Sequence, residues 1–186
     1  SGFNFSTLAG LKNADWTQPL YFVGTGMNGV YDLGWMSTAP ERRDFGSGIS
    51  GSHCAAAPQT CFDELKLSQP YPRDTYCFTL TGSLRLLDLR FVQSPAFSGH
   101  YYSADRAESC RILEANREYL DAHGYDGILR YSQPLLAHDT YSEVIALTPT
   151  AIGKLGVQVV KILGQVTIPL TIRMPDGSQI TPTLIN

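Results

Sequence analysis

No apolar run in this 186-residue chain is long enough to cross a bilayer. The best stretch, VQVVKILGQVTIPL, is broken by Lys161, Gly164 and Pro169, so no transmembrane helix and no membrane partner are expected. Basic charge is also scarce. Fourteen lysines and arginines against seventeen acids leave a net charge of −3. With no basic stripe to track a phosphate backbone, no nucleic-acid partner is expected. GxxxxGK[ST], HExxH and GxSxG are all missing, and GTGMNG at Gly24–Gly29 does not complete GxGxxG ahead of a long helix. His53, His100, His123 and His138 show no metal-ligand spacing, so no metal is expected. Cys54, Cys61, Cys77 and Cys110 form no CxxC pair. Cys61 and Cys110 fall on apolar faces of expected helices, where a free thiol packs as a small hydrophobe. The expectation is of reduced cysteines in a cytosolic setting. SGFNFSTLAG carries neither an initiator Met nor the charged-then-apolar pattern of a signal peptide, which leads to the expectation of an excised domain or processed product.

What is present describes one globular domain. Apolar residues make up 43% of the chain and charged residues 17%, enough for a sizeable core. Seventeen glycines and eleven prolines imply many turns and short elements. PLYFVGTG (Pro19–Gly26) reads as a strand entering a turn. The segment Met27–Ser52 has no sustained period, and a connection this long usually serves function. A helix is expected over Pro58–Leu67, where proline suits the first turn. Tyr76, Phe78 and Leu80 alternate in one strand, and Leu84, Leu86 and Leu87 carry a second across TGS. Ser103–His123 has the clearest helical pattern, with Ser103 to cap it and Gly124 to end it. DGILRYS and SEVIAL are two short strands, and VTIPLTIRMPDGSQITPTLI reads as a terminal hairpin around PDGS. The sum is an α+β domain over residues 1–186 with a bent or split sheet, residues 151–186 forming a C-terminal β-hairpin extension.

No contiguous motif carries the chemistry. Scattered groups do: an aromatic strand with Tyr21 and Phe22, the pair Arg42 and Arg43 in the long connection, Glu64 at the edge of a helix, and a Ser/Tyr-rich helix start. Glu64 is either a solvated acid beside Asp63 and Lys66 or a carboxylate at the lip of a pocket. Tyr21 and Phe22 suit core packing as well as a stacking platform, and Tyr102 suits core or cleft. An arginine grips phosphate through two hydrogen bonds. A carboxylate can bond a ribose hydroxyl and stabilise an oxocarbenium centre. Aromatic rings stack on planar rings. Together these are the means to break a nicotinamide–ribose bond.

Three segments, HCAAAPQTCFDEL, FTLTGSLRLLDL and SADRAESCRILEANREYLDAHGYDGILRYS, resemble in order and spacing the RES domain of bacterial toxin–antitoxin pairs, a family related to ADP-ribosyltransferases. The resemblance runs from about Leu20 to Leu147. It implies an ADP-ribosyltransferase-like split sheet with flanking helices, and a toxin that cleaves NAD to release nicotinamide, with water or phosphate as acceptor. It assigns Glu64 as the catalytic acid and Arg42 to phosphate contact. It sets His53 where the family has a tyrosine near nicotinamide. The catalytic serine falls at Ser109, with Ser103 second and Ser132 behind both. The family's first strand ends in a Tyr-Arg pair, whereas here Phe22 follows Tyr21. Either Arg42 or Arg43 takes over phosphate binding, or NAD sits differently, or cleavage is lost. The resemblance further implies a neutralising antitoxin or immunity protein, and action in the cytoplasm, with secretion or delivery within a larger effector as a route there. A mono-ADP-ribosyltransferase and an inert binding domain of the same fold are the alternatives.

Overall fold

The computed structural model describes residues 4–33, 55–56, 70–90, 92–94, 97–98, 112–134 and 141–186. The expected helix over Pro58–Leu67, the start of the helix at Ser103, and Cys54, Cys61 and Cys110 lie outside these residues.

The described residues form an α+β fold of mixed sheets with few helices. The first sheet contains β1 (Lys12–Trp16), β6 (Leu84–Asp88), β9 (Gly127–Pro134), β10 (Tyr141–Leu147) and β4 (Ala55–Ala56), side by side in that order. The second runs β14 (Leu184–Ile185), β11 (Gly156–Ile162), β5 (Thr75–Thr81), β2 (Leu20–Thr25). A third joins β13 (Gln179–Ile180), β12 (Thr171–Arg173) and β3 (Val30–Asp32), and β7 (Gln93–Ser94) pairs with β8 (Phe97–Ser98). The pairs β6–β9, β11–β14 and β12–β3 are parallel and the others antiparallel.

One hydrophobic core lies between the first two sheets. Leu20, Tyr76, Phe78, Leu80 and Val160 enter it from the second sheet, and Leu84, Leu86, Leu129, Ile145 and Leu147 from the first. A second core covers the opposite face of the first sheet. There Leu87, Ile128 and Ala146 meet Ile112, Leu113 and Leu120 from the helical segment, together with Phe5. The first sheet is thus covered on both faces, and its central strand β9 buries the consecutive residues Gly127, Ile128, Leu129 and Arg130 rather than every other one.

Strands β5 and β6 are consecutive in the chain yet belong to different sheets. The TGS segment between them is where the chain passes from one sheet to the other. A Cβ on Gly82 would lie 3.0 Å from the Leu155 side chain and 3.2 Å from the Lys154 carbonyl oxygen, which favours glycine at the crossing.

The helical segment differs from its expected continuous form. Residues 112–115 are helical, Asn116 is a turn, and α1 (Arg117–Ala122) follows. The cause is a long-range bond. The Asn116 carboxamide oxygen accepts from the Phe5 N–H at 2.9 Å, and its amide donates to the Ile112 carbonyl at 2.9 Å. An asparagine so engaged competes with helix geometry. The end of the segment is as expected. Gly124 has φ of 71°, the Tyr125 N–H donates to the Leu120 carbonyl at 2.9 Å, and the Gly124 N–H to that of Asp121 at 3.3 Å. This is a Schellman cap, which only glycine fits without strain.

The stretch Met27–Ser52, expected to lack regular structure, begins with a tight turn and a strand. Asn28 and Gly29 both have positive φ, and Met27 and Val30 exchange backbone hydrogen bonds, as in a type I′ turn. GTGMNG is therefore partly a hairpin tip. Strand β3 follows, selected by its parallel pairing with β12. Within the C-terminal region, β12 and β13 pair antiparallel around the Asp176–Gly177 turn, whereas β11 lies inside the second sheet with β14 on one side and β5 on the other.

Candidate functional site

Among the ten site residues named from sequence, three fall on described backbone, the third being Ser132 on β9. Tyr21 and Phe22 lie on β2, paired with Thr79 and Phe78 of β5. Glu64, Arg42, Arg43, His53, Tyr102, Ser103 and Ser109 lie outside the described residues.

Strand alternation fixes the face on which Tyr21 sits. Its neighbour Leu20 enters the core between the sheets, so Tyr21 belongs to the opposite face, with Thr25, Thr75, Cys77, Thr79 and Lys161. The Thr25 and Thr75 hydroxyls are hydrogen-bonded across the strands at 3.0 Å. This face is polar, and yet Thr75 and Cys77 are buried. Cys77 is disulfide-bonded, which corrects the expectation of reduced thiols. Its partner lies outside the described residues.

Three described carboxylates are held in hydrogen-bonded locks. Asp126, buried at the start of β9, accepts from the Arg85 N–H at 2.7 Å and from the Lys154 ammonium at 2.6 Å. Both carboxylate oxygens are used in holding β6, β9 and the segment after α2 (Pro149–Ile152) together. Asp74, in left-handed backbone at φ 59°, accepts from the Thr167 N–H at 2.8 Å and from the Thr167 hydroxyl. Those bonds, first the hydroxyl and then the backbone one, hold its carboxyl below the usual range.

Asp88 accepts from Arg90 Nε at 3.0 Å and Nη2 at 2.9 Å, and from the Arg90 N–H at 3.0 Å. Burial opposes its charge, but these bonds together outweigh burial, so the carboxyl sits below its ordinary range. A carboxyl with a folded pKa below its unfolded one contributes stability above the unfolded pKa, near 4, and loses it as pH falls through the folded value. Asp88→Asn is therefore expected to lose about 1 kcal/mol at pH 7, the pair being partly open to solvent. The gap between the two proteins should narrow below about pH 4. Urea unfolding of both from pH 7 to pH 3 checks this, and a gap unchanged down to pH 3 would count against it.

Arg130 is a buried charged side chain that the sequence reading missed. It lies on β9, 2% exposed, on the face that Ile128 turns toward the helical segment. Buried arginine is rare, and its planar fork suits a phosphate or carboxylate. The available signal was its place within DGILRYS, a strand whose described neighbours on both sides are buried. Among the described residues, no group of three His, Cys, Asp or Glu side chains could share a metal ion. No helix among them is long and apolar enough to cross a membrane.

Comparison of the chain with protein-family models, with curated proteins and with solved structures returns no match.

Proposed function

We propose that the chain is a toxin-type enzyme of the RES class that cleaves the nicotinamide–ribose bond of NAD and so depletes it, acting in the cytoplasm of a target cell. The observation that carries this reading is the unit from the helical segment through the Gly124 cap into β9. It follows the order of SADRAESCRILEANREYLDAHGYDGILRYS, the longest of the three RES-like segments, and it includes a buried arginine. Two mixed sheets around one core are compatible with an ADP-ribosyltransferase-like split sheet.

In this reading Glu64 anchors the ribose next to nicotinamide and stabilises the oxocarbenium charge as the glycosidic bond lengthens. Arg42 or Arg43 binds the diphosphate, and Arg130 is a further candidate for that charge. Ser109 or Ser103 orients the ribose or the acceptor. Tyr21, Phe22, His53 and Tyr102 are candidates for lining the NAD site. The chemistry asks for no metal. A neutralising antitoxin or immunity protein is the partner such an activity requires.

The test is nicotinamide release from NAD by the purified chain beside Glu64→Gln. The substitution removes charge and keeps shape, and release is expected to fall roughly a hundred- to a thousandfold, the usual loss for a preorganised electrostatic group. Folded wild-type protein that releases no nicotinamide, with or without phosphate, would sink this reading. Transfer of labelled ADP-ribose to a macromolecule would favour the mono-ADP-ribosyltransferase. No turnover of either kind would leave an inert binding domain, for which Phe22 in place of the family's arginine would be the mark.

A further inference from the structure

Cys77 sits at the centre of β5, between Tyr76 and Phe78, whose side chains enter the core between the sheets. Alternation turns Cys77 to the other face, where the register sets it against Val23 of β2 and Lys161 of β11. It is 4% exposed there, and Thr75 on the same face is 3% exposed. Its sulfur is in a disulfide, and the other three cysteines, Cys54, Cys61 and Cys110, all lie outside the described residues. The bond therefore ties an interior strand, hydrogen-bonded on both edges, to a cysteine outside that strand.

We infer that the working form of this chain is an oxidatively matured one, its Cys77 disulfide acquired in a compartment that supplies disulfide oxidants. Such bonds persist in secreted, periplasmic and lumenal proteins and are rare where thiols are kept reduced. The step balances as thiol–disulfide exchange. A thiolate of the pair attacks a sulfur of a dithiol-forming protein oxidant and gives a mixed disulfide. The second thiolate then displaces the oxidant. The chain loses two protons and two electrons, and the oxidant leaves as a dithiol. Burial of Cys77 gives the order of events: the sulfur is open to exchange before the second sheet closes and shielded afterwards. This inference is independent of the NAD reading, since neither activity nor its absence changes it.

The experiment compares the full chain made in the bacterial periplasm with the same chain made in the cytoplasm. Free thiols are blocked with N-ethylmaleimide in denaturant without reductant, and peptides are mapped by mass before and after reduction. In the periplasmic protein Cys77 is expected to carry no adduct. Its peptide should be joined to one bearing Cys54, Cys61 or Cys110, and reduction should separate them with the gain of two hydrogens. Cutting the bond is expected to lower the thermal midpoint by about 5–15 °C, the range for opening a loop of a few tens of residues in a chain of this size. The cytoplasmic product should carry the adduct on Cys77 and melt at the lower temperature.

An adduct on Cys77 of folded periplasmic protein would overturn the inference. So would a bond that joins two chains on a non-reducing gel, or the same bond fully formed in the cytoplasm. Equal midpoints for mapped oxidised and reduced forms would also overturn it. The mapping uses the wild-type chain, so no variant has to fold for the test to be decisive.

Discussion

Replacing Gly127 by alanine is expected to lower the thermal midpoint by about 10 °C, or to prevent folding, from a loss of about 3–5 kcal/mol. Gly127 opens β9, with Leu86 of β6 on one side and Leu147 of β10 on the other. A Cβ there would fall on the carbonyl oxygen of Ala146, and would lie 3.1 Å from both the Ala146 carbonyl carbon and the Leu147 Cα. All three atoms are backbone, so no rotamer change relieves the clash, and the strands must part. Gly153 is the control. Its backbone is right-handed helical, with φ of −65°, and its nearest contact for a Cβ is the Thr150 carbonyl oxygen at 3.4 Å. Gly153→Ala should be neutral within about 1 kcal/mol. Differential scanning calorimetry of the two variants settles it, and equal midpoints would show that the first sheet can open at β9 without cost.

The second large effect is at Asp126. Asp126→Ala removes the acceptor of the Arg85 N–H and the partner of the Lys154 ammonium, at a site where the carboxylate is 8% exposed. The expected cost is about 2–3 kcal/mol, most of it from leaving a part-buried N–H without an acceptor. Lys154 is half exposed, so water takes over when its partner is lost. Lys154→Met should therefore cost no more than about 1 kcal/mol. Asp126→Asn should fall between, because one carboxamide oxygen cannot serve both donors. Urea midpoints of the three variants give the order. A Lys154→Met loss as large as that of Asp126→Ala would mean that the ion pair, and not the backbone bond, makes the lock.

These two positions show what the sequence disclosed. The strand DGILRYS is legible from its apolar run, but the need for glycine at its first position depends on how closely the Ala146 carbonyl approaches. Gly124 is legible as a helix stop because the rule is local. The break at Asn116 is not, because it depends on an N–H from Phe5, 111 residues away in the sequence. Strand β1, KNADW, alternates only at Ala14 and Trp16, and β3 is only three residues long, so each depends on its neighbour more than on its own composition. For the candidate site, sequence placed Tyr21 and Phe22 correctly on a strand. It passed over Arg130 because arginine within a strand ordinarily reads as an outward position. Burial of both faces of the first sheet removes that alternation.

The passage of the chain from β5 to β6 through Gly82 has a temporal consequence. The two strands lie close together in the chain; each has an earlier partner, β2 for β5 and β1 for β6, and each also waits for a different later one. Strand β6 needs Gly127–Leu129, and β5 needs Gly156–Ile162, while β3 needs Thr171–Arg173. The sheets can therefore close only after residues 127–173 have been made, and such non-local pairing is slow. Until then Tyr76, Phe78 and the bare edge of β5 stand exposed in a half-made chain, which makes the nascent protein a natural client for chaperones.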